Sequence, residues 1–186
     1  MTMQDFFVDR KKTCGVSGKS NEAIVFKRRG KSNSRFTDNS IYDGLLQDDT
    51  QITNGDIITE SGDTYLTIAR RNGYMSKIAQ FEKTNCVASI YTISSTYVGT
   101  QKTGDKETLV ASSVPIVQTS VTASMHLYDA GLLPDTVKKL LTPQAAIGID
   151  NRIKIDGKNY WVTSVDSNEY EGLYLVQVKL DNRVTK

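Results

Sequence analysis

The sequence predicts a mainly β protein: a small barrel or sandwich of short antiparallel strands, with extended arms and loops and one short helix. Three observations predict it. A strand–turn–strand motif occurs twice at identical spacing, as Ile58, Gly62, Tyr65 and Ile68 and again as Ile153, Gly157, Tyr160 and Thr163. Turn dipeptides recur along the chain, at Asn72-Gly73, Asp156-Gly157 and Glu171-Gly172, where Asn, Asp and Gly tolerate the positive φ of tight turns. Residues 88–94 and 116–127 alternate between two faces, the period of a half-buried strand.

The elements follow in order. Residues 3–12 suit a short helix anchored by Phe6 and Phe7, closing at a turn near Gly15. Residues 23–27 form a short apolar strand, and residues 30–49 are mostly loop around the apolar patch of Ile41, Tyr42, Leu45 and Leu46. The first hairpin covers residues 57–60 and 65–70, followed by strands at 77–83 and 88–94. Residues 96–106, rich in Gly, Thr and Lys, read as a projecting loop or hairpin tip. One helix is expected at 135–141, started by Pro134 and Asp135 and limited by Pro143. Strands close the chain at 152–155, 160–165 and 174–180. The expected organisation is an arm-like segment over 1–50 and a β-barrel-like domain over 51–186.

Composition narrows the function. The 186 residues carry a net charge of +2, which gives the whole molecule little pull toward nucleic acid. The charge is unevenly placed. Arg10, Lys11, Lys12, Lys19, Lys27, Arg28, Arg29, Lys31 and Arg35 face a single acid, Glu22, within residues 10–35. Residues 36–69 then carry seven acids, Asp38, Asp43, Asp48, Asp49, Asp56, Glu60 and Asp63, and no Lys or Arg. The basic block therefore needs a negative neighbour. The acidic block, in the same or an adjacent subunit, is the nearer candidate; DNA is the other.

Motifs for chemistry are weak. Gly15, Gly18, Lys19 and Ser20 imitate a phosphate-binding loop, but the two glycines are too close together and no buried strand precedes them. His126 is the sole histidine, and Cys14 and Cys86 are far apart without a CxxC or Cys/His cluster, so neither a metal site nor a disulfide framework is expected. Asp48, Asp49 and Asp166 lack an evident acid/base partner. No catalytic residue, cofactor or metal ligand is assigned; an enzyme would need a site assembled from distant residues. No apolar run spans a membrane, and the N-terminus lacks the basic-then-apolar layout of a signal peptide, so synthesis in the cytoplasm is expected.

The stretch around Asn151, Ile153, Ile155, Gly157, Tyr160, Trp161 and Val165, continued through Tyr170, Gly172 and residues 173–178, resembles the closing hairpins of head-completion proteins of tailed bacteriophages. These are the small β-barrel stopper, or head-closure, proteins of the neck. Gly55, Asp56, Ile57 and Ile58, running on to Tyr65 and Leu66, repeat the pattern. The resemblance implies a structural virion protein, assembled in the host cytoplasm and located at the head–tail junction. It implies a homo-oligomeric ring around the DNA channel, with loops or strands reaching neighbouring subunits, and portal or adaptor and tail proteins as partners. Contact with channel DNA is possible in such a ring, and membrane is not a partner. A tail-completion or tail-terminator role and a nucleic-acid-binding β-barrel module are the alternatives. The interface candidates are Lys27, Arg28, Arg29, Lys102, Trp161 and Tyr174.

Overall fold

The computed structural model describes residues 11–28, 40–73, 76–143 and 146–183. The chain is mainly β and divides into two compact units. The first ends at Thr84 and takes in Tyr170–Leu173; the second begins at Asn85. Each contains one closed six-stranded antiparallel barrel. The first is made by β1 (Lys12–Val16), β2 (Glu22–Arg28), β3 (Ile41–Leu46), β4 (Ile57–Glu60), β5 (Asp63–Asn72) and β6 (Lys77–Lys83). The second is made by β7 (Cys86–Val98), β8 (Gln101–Ser120), β9 (Lys138–Thr142), β10 (Arg152–Ile155), β11 (Lys158–Asp166) and β12 (Tyr174–Leu180). The helix α1 (Ala123–Tyr128) lies between β8 and β9, with the Thr122 hydroxyl accepting from the Met125 amide at its start.

The two barrels have one topology. The first runs β1-β2-β3-β6-β5-β4 and closes β4 onto β1; the second runs β7-β8-β9-β12-β11-β10 and closes β10 onto β7. The repeated motif is the fourth and fifth strand of each. Ile58 pairs Tyr65 and Ile153 pairs Tyr160, with all four side chains buried in their cores. Each hairpin turns on two residues of positive φ, Ser61 and Gly62 in one and Asp156 and Gly157 in the other, which is the I′ geometry that matches strand twist. Equivalence reaches the irregularities. β5 is bulged between Thr67 and Ala69, and β11 between Val162 and Ser164, one position past the same pair of strands. Ahead of each hairpin, Gly55 (φ 83°) and Asp150 (φ 73°) donate their amides to the carbonyls of Thr67 and Val162. Matching the ladders strand by strand sets Val16 with Ile90, Ile24 with Ile116, Phe26 with Gln118 and Phe81 with Val178, and the matching closes on itself around both barrels.

The cores differ within this frame. The first packs Phe26, Tyr42, Tyr65 and Phe81 edge to face or tilted, with ring centroids 5.2–6.3 Å apart. Gly44 makes room for them: a Cβ there would lie 2.3 Å from Phe81 Cε2. The second core is aliphatic, built on Ile90, Ile116, Leu140, Ile153, Ile155, Val162, Val176 and Val178 around Tyr160.

Several expectations are corrected. No boundary falls at residue 50, because β1, β2 and β3 are staves of the first barrel and the N-terminal arm is not a separate segment over its described residues. The expected helix over 3–12 lies outside the described residues except for Lys11 and Lys12, and Lys12 opens a strand. The expected helix at 135–141 is strand β9 instead. Its Pro and Asp start signals serve a turn tied down by Gln177, whose Oε1 accepts from the Leu133 amide and the Thr136 hydroxyl at 2.9 Å each. Ladders to β8 and β12 then bury Leu140 and Leu141. Tertiary pairing outweighs local helix propensity here. The one helix of the described residues forms at 123–128, a stretch expected to be extended. Residues 96–106 take the second of their two expected forms, a hairpin tip: paired strand on both sides of the turn at Gly99 and Thr100, and not a loop.

Candidate assembly interface

The topological match isolates one feature. In the first barrel β1 passes to β2 through the short loop at residues 17–21. In the second, the equivalent connection is the ribbon formed by the outer parts of β7 and β8 over residues 91–113. β10 pairs with β7 only as far as Tyr91, and β9 pairs with β8 only from Val117 onward. Among the described residues, the two strands beyond these points pair only with each other. Closing the barrel does not require the ribbon, since the first barrel closes without one.

The root of the ribbon is bent and clamped. Ala88 faces Val114, Ile90 faces Ala111 and Tyr91 faces Leu109, so β8 carries extra residues at two successive points, and Ser113 takes a φ of 56°. Such bulges bend a ribbon sharply. The bend sets the face holding Tyr91 and Glu107 against the outward side chains of β10. There the Arg152 side chain is 1% exposed and held by charged and polar contacts. Its Nε donates to Asp181 Oδ2 at 2.8 Å, its Nη1 pairs with Glu107, and its Nη2 donates to the Arg183 carbonyl at 2.6 Å. Lys154 Nζ donates to Glu107 Oε2 at 2.7 Å and stands 4.3 Å from the Tyr91 ring centroid. Burial pushes the carboxyls of Glu107 and Asp181 upward, but hydrogen bonds from Lys154, Arg152 and Arg183 outweigh it and hold both below the usual carboxylate range. Ile57 stands where Arg152 stands in the other barrel, so this charged clamp accompanies the ribbon.

Farther out the ribbon is regular as far as Thr96, with Asp105 buried on one face and the other face exposed. One face carries Ile93 and Ser95 opposite Glu107 and Asp105, with the Ser95 hydroxyl donating to Asp105 Oδ1 at 2.9 Å. The other carries Thr92, Ser94 and Thr96 opposite Thr108, Lys106 and Gly104. Toward the tip, Tyr97 and Val98 are 61% and 72% exposed, and at the root Leu109 is 53% exposed. Large apolar side chains held on an unsupported two-stranded ribbon mark a surface made for covering.

The interface candidates are dispersed. Lys102 lies in β8 near the tip, opposite Tyr97. Trp161 faces outward from β11, where its Nε1 donates to Asp150 Oδ1 at 3.0 Å, and Lys179 Nζ and Arg183 Cζ lie 4.8 and 4.3 Å from the ring centroid. Tyr174, by contrast, packs half-buried against the second core. Lys27 is exposed on β2 opposite Asp43, Arg28 ends β2 opposite Tyr42, and Arg29 lies outside the described residues. Sequence reasoning missed Arg152 and Glu107; Arg152 beside Ile153 and Ile155, where the first copy of the motif has Ile57, was the available signal.

Part of the basic block is neutralised within its own barrel. Lys12 pairs with Glu60 at 2.9 Å, and Lys19 reaches Asp56 Oδ2 at 2.6 Å while also donating to Thr53 Oγ1 and the Gln51 carbonyl at 2.9 Å each. Lys19 is thus committed to the loop before β4, and the phosphate-loop look of residues 15–20 belongs to a strand end and turn. Cys14 is buried, and that burial pushes its thiol up to about 11; Cys86 is pushed up by burial as well. Neither thiol is activated as a nucleophile. Among the described residues no group of three or more His, Cys, Asp and Glu side chains is arranged to hold a metal ion, and no helix is long and apolar enough to cross a membrane. Comparison with protein-family models, curated proteins and solved structures finds no match to this chain.

Proposed function

We propose that this chain is a structural subunit of a tailed-phage particle, a ring-forming head-to-tail connector of the stopper or head-closure type. The observation that carries the reading is the clamped ribbon added to one of two topologically identical barrels. A barrel leaves no edge for neighbours, whereas a projecting ribbon supplies edges and apolar side chains for them. The hairpins that resemble head-completion proteins add the setting. In this role the barrels are the rigid bodies, the ribbon contacts adjacent chains, and portal or adaptor and tail proteins bind the two sides of the ring. Imaging of purified particles carrying a tagged copy of the chain tests the proposal. Label at the neck supports it, label at the tail side of the joint favours tail completion or termination, and absence from particles overturns all three.

Trp161, between Lys179 and Arg183, favours a second reading, a nucleic-acid-binding barrel. That reading requires single-strand binding that weakens with salt and is lost in Trp161→Ala.

A further inference from the structure

We propose that the outer edge of β7, residues 92–98, is a strand-addition site whose occupant is a second copy of this chain. Among the described residues the ribbon has two unpaired edges, and they are not alike. Every register shift along it leaves the extra residue on β8: Ala88 to Ile90 spans Val114 to Ala111, Ile90 to Tyr91 spans Ala111 to Leu109, and Thr96 to Tyr97 spans Gly104 to Lys102. β8 is therefore kinked three times, and its outer part carries the exposed Lys106. Bulges and charges are the devices by which proteins keep foreign strands off an edge. β7 has none of them. From Cys86 to Val98 it holds no charged residue and no proline, and it runs regularly from Tyr91 to Thr96.

The composition of that edge selects its partner. Paired antiparallel with the same residues of a second copy, it brings no charge against another in any register. Centred on Ser95, the pairing sets Ile93 opposite Tyr97 and Thr92 opposite Val98. Aromatic and branched side chains across adjacent strands are the pairs that stabilise sheets. The edge would be extended from two strands to four, curing the marginal stability of an isolated ribbon. The inference does not require the virion setting. Its failure would leave a ring built through other surfaces, and failure of the virion reading would leave the edge intact.

The test places one substitution on two edges of the same rung. Thr92 and Thr108 face each other across the ribbon and both are exposed. Thr92→Lys puts a charge on the β7 edge; Thr108→Lys puts it on the β8 edge. Sedimentation of the purified full chain over a range of concentrations reads the association, and thermal unfolding confirms that both variants fold. The expected result is a dimer for the parent and for Thr108→Lys, and loss of the dimer in Thr92→Lys, with amides of residues 92–98 gaining exchange protection as concentration rises. A parent that stays monomeric throughout, a dimer that survives Thr92→Lys, or equal loss in both variants overturns the proposal.

Discussion

Thr67 and Val162 occupy one position in the two barrels, each fully buried just before the bulge. The Thr67 hydroxyl has no hydrogen-bond partner, while the valine methyl at the same place needs none. Thr67→Val should therefore raise stability by about 1 kcal/mol, the usual cost of an unsatisfied buried group, measured by denaturant unfolding. Arg152 works in the opposite direction. Arg152→Met strands the buried Asp181 with Arg183 alone and should cost about 3 kcal/mol. Acid sensitivity follows from the same cluster. Asp181 and Glu107 have folded pKa values below their unfolded ones, so their contribution is complete above the ordinary carboxylate range, about pH 4, and is lost as pH falls through the folded values. Unfolding midpoints of the parent should fall steeply below that range, and those of Arg152→Met should fall less.

The ribbon is the element on which function is predicted to turn. Replacing residues 91–113 by residues 17–21, the equivalent connection of the first barrel, should leave the second barrel folded and abolish assembly. Circular dichroism and particle reconstitution measure the two outcomes, and a chain that no longer folds would show the ribbon to be part of the barrel. At this scale the sequence is unevenly legible. The hairpins at 57–70 and 152–165 are readable because a glycine turn, an inward tyrosine and flanking isoleucines act locally. β1 and β3 are hidden because Lys12 and Asp43 interrupt the apolar pattern on staves too short to show a period. β9 is hidden because its start carries turn chemistry that a helix also uses. The outer ribbon looks like loop because its residues are small and polar, and only the pairing of one strand with the other reveals it. Trp161 is conspicuous in sequence; Arg152 becomes so only when its counterpart, Ile57, is known.

For the whole molecule, charge and duplication set the terms. Lys12 and Lys19 are already paired with acids of the first barrel, and the more exposed of these pairs, Lys12 with Glu60, is of a kind worth about 0–1 kcal/mol. The remaining cations therefore bear on partner choice more than on stability. Exchanging Lys27, Arg28 and Arg29 together for Gln should weaken assembly into rings while leaving the unfolding midpoint unchanged. Retained rings with failed DNA retention in filled heads would instead assign these cations to the channel. Duplication also brings a hazard. A newly made chain holds two sockets of the same shape and two sets of staves that could enter either. All six staves of the first barrel lie between Lys12 and Lys83, so it can close while the rest is still on the ribosome, during roughly 5–20 seconds of further synthesis. Divergence then protects the late arrival. Across residues 52–69 and 147–164 only Ile52 and Ile147, Ile58 and Ile153, Gly62 and Gly157, and Tyr65 and Tyr160 coincide. A hairpin bearing Arg152 would give up its pairing with Glu107 and Asp181, which nothing among the described residues replaces at the outward, half-buried position of Ile57 in the first barrel. The unlike cores act as proofreading, rejecting the wrong insert by its chemistry before its geometry can be accepted.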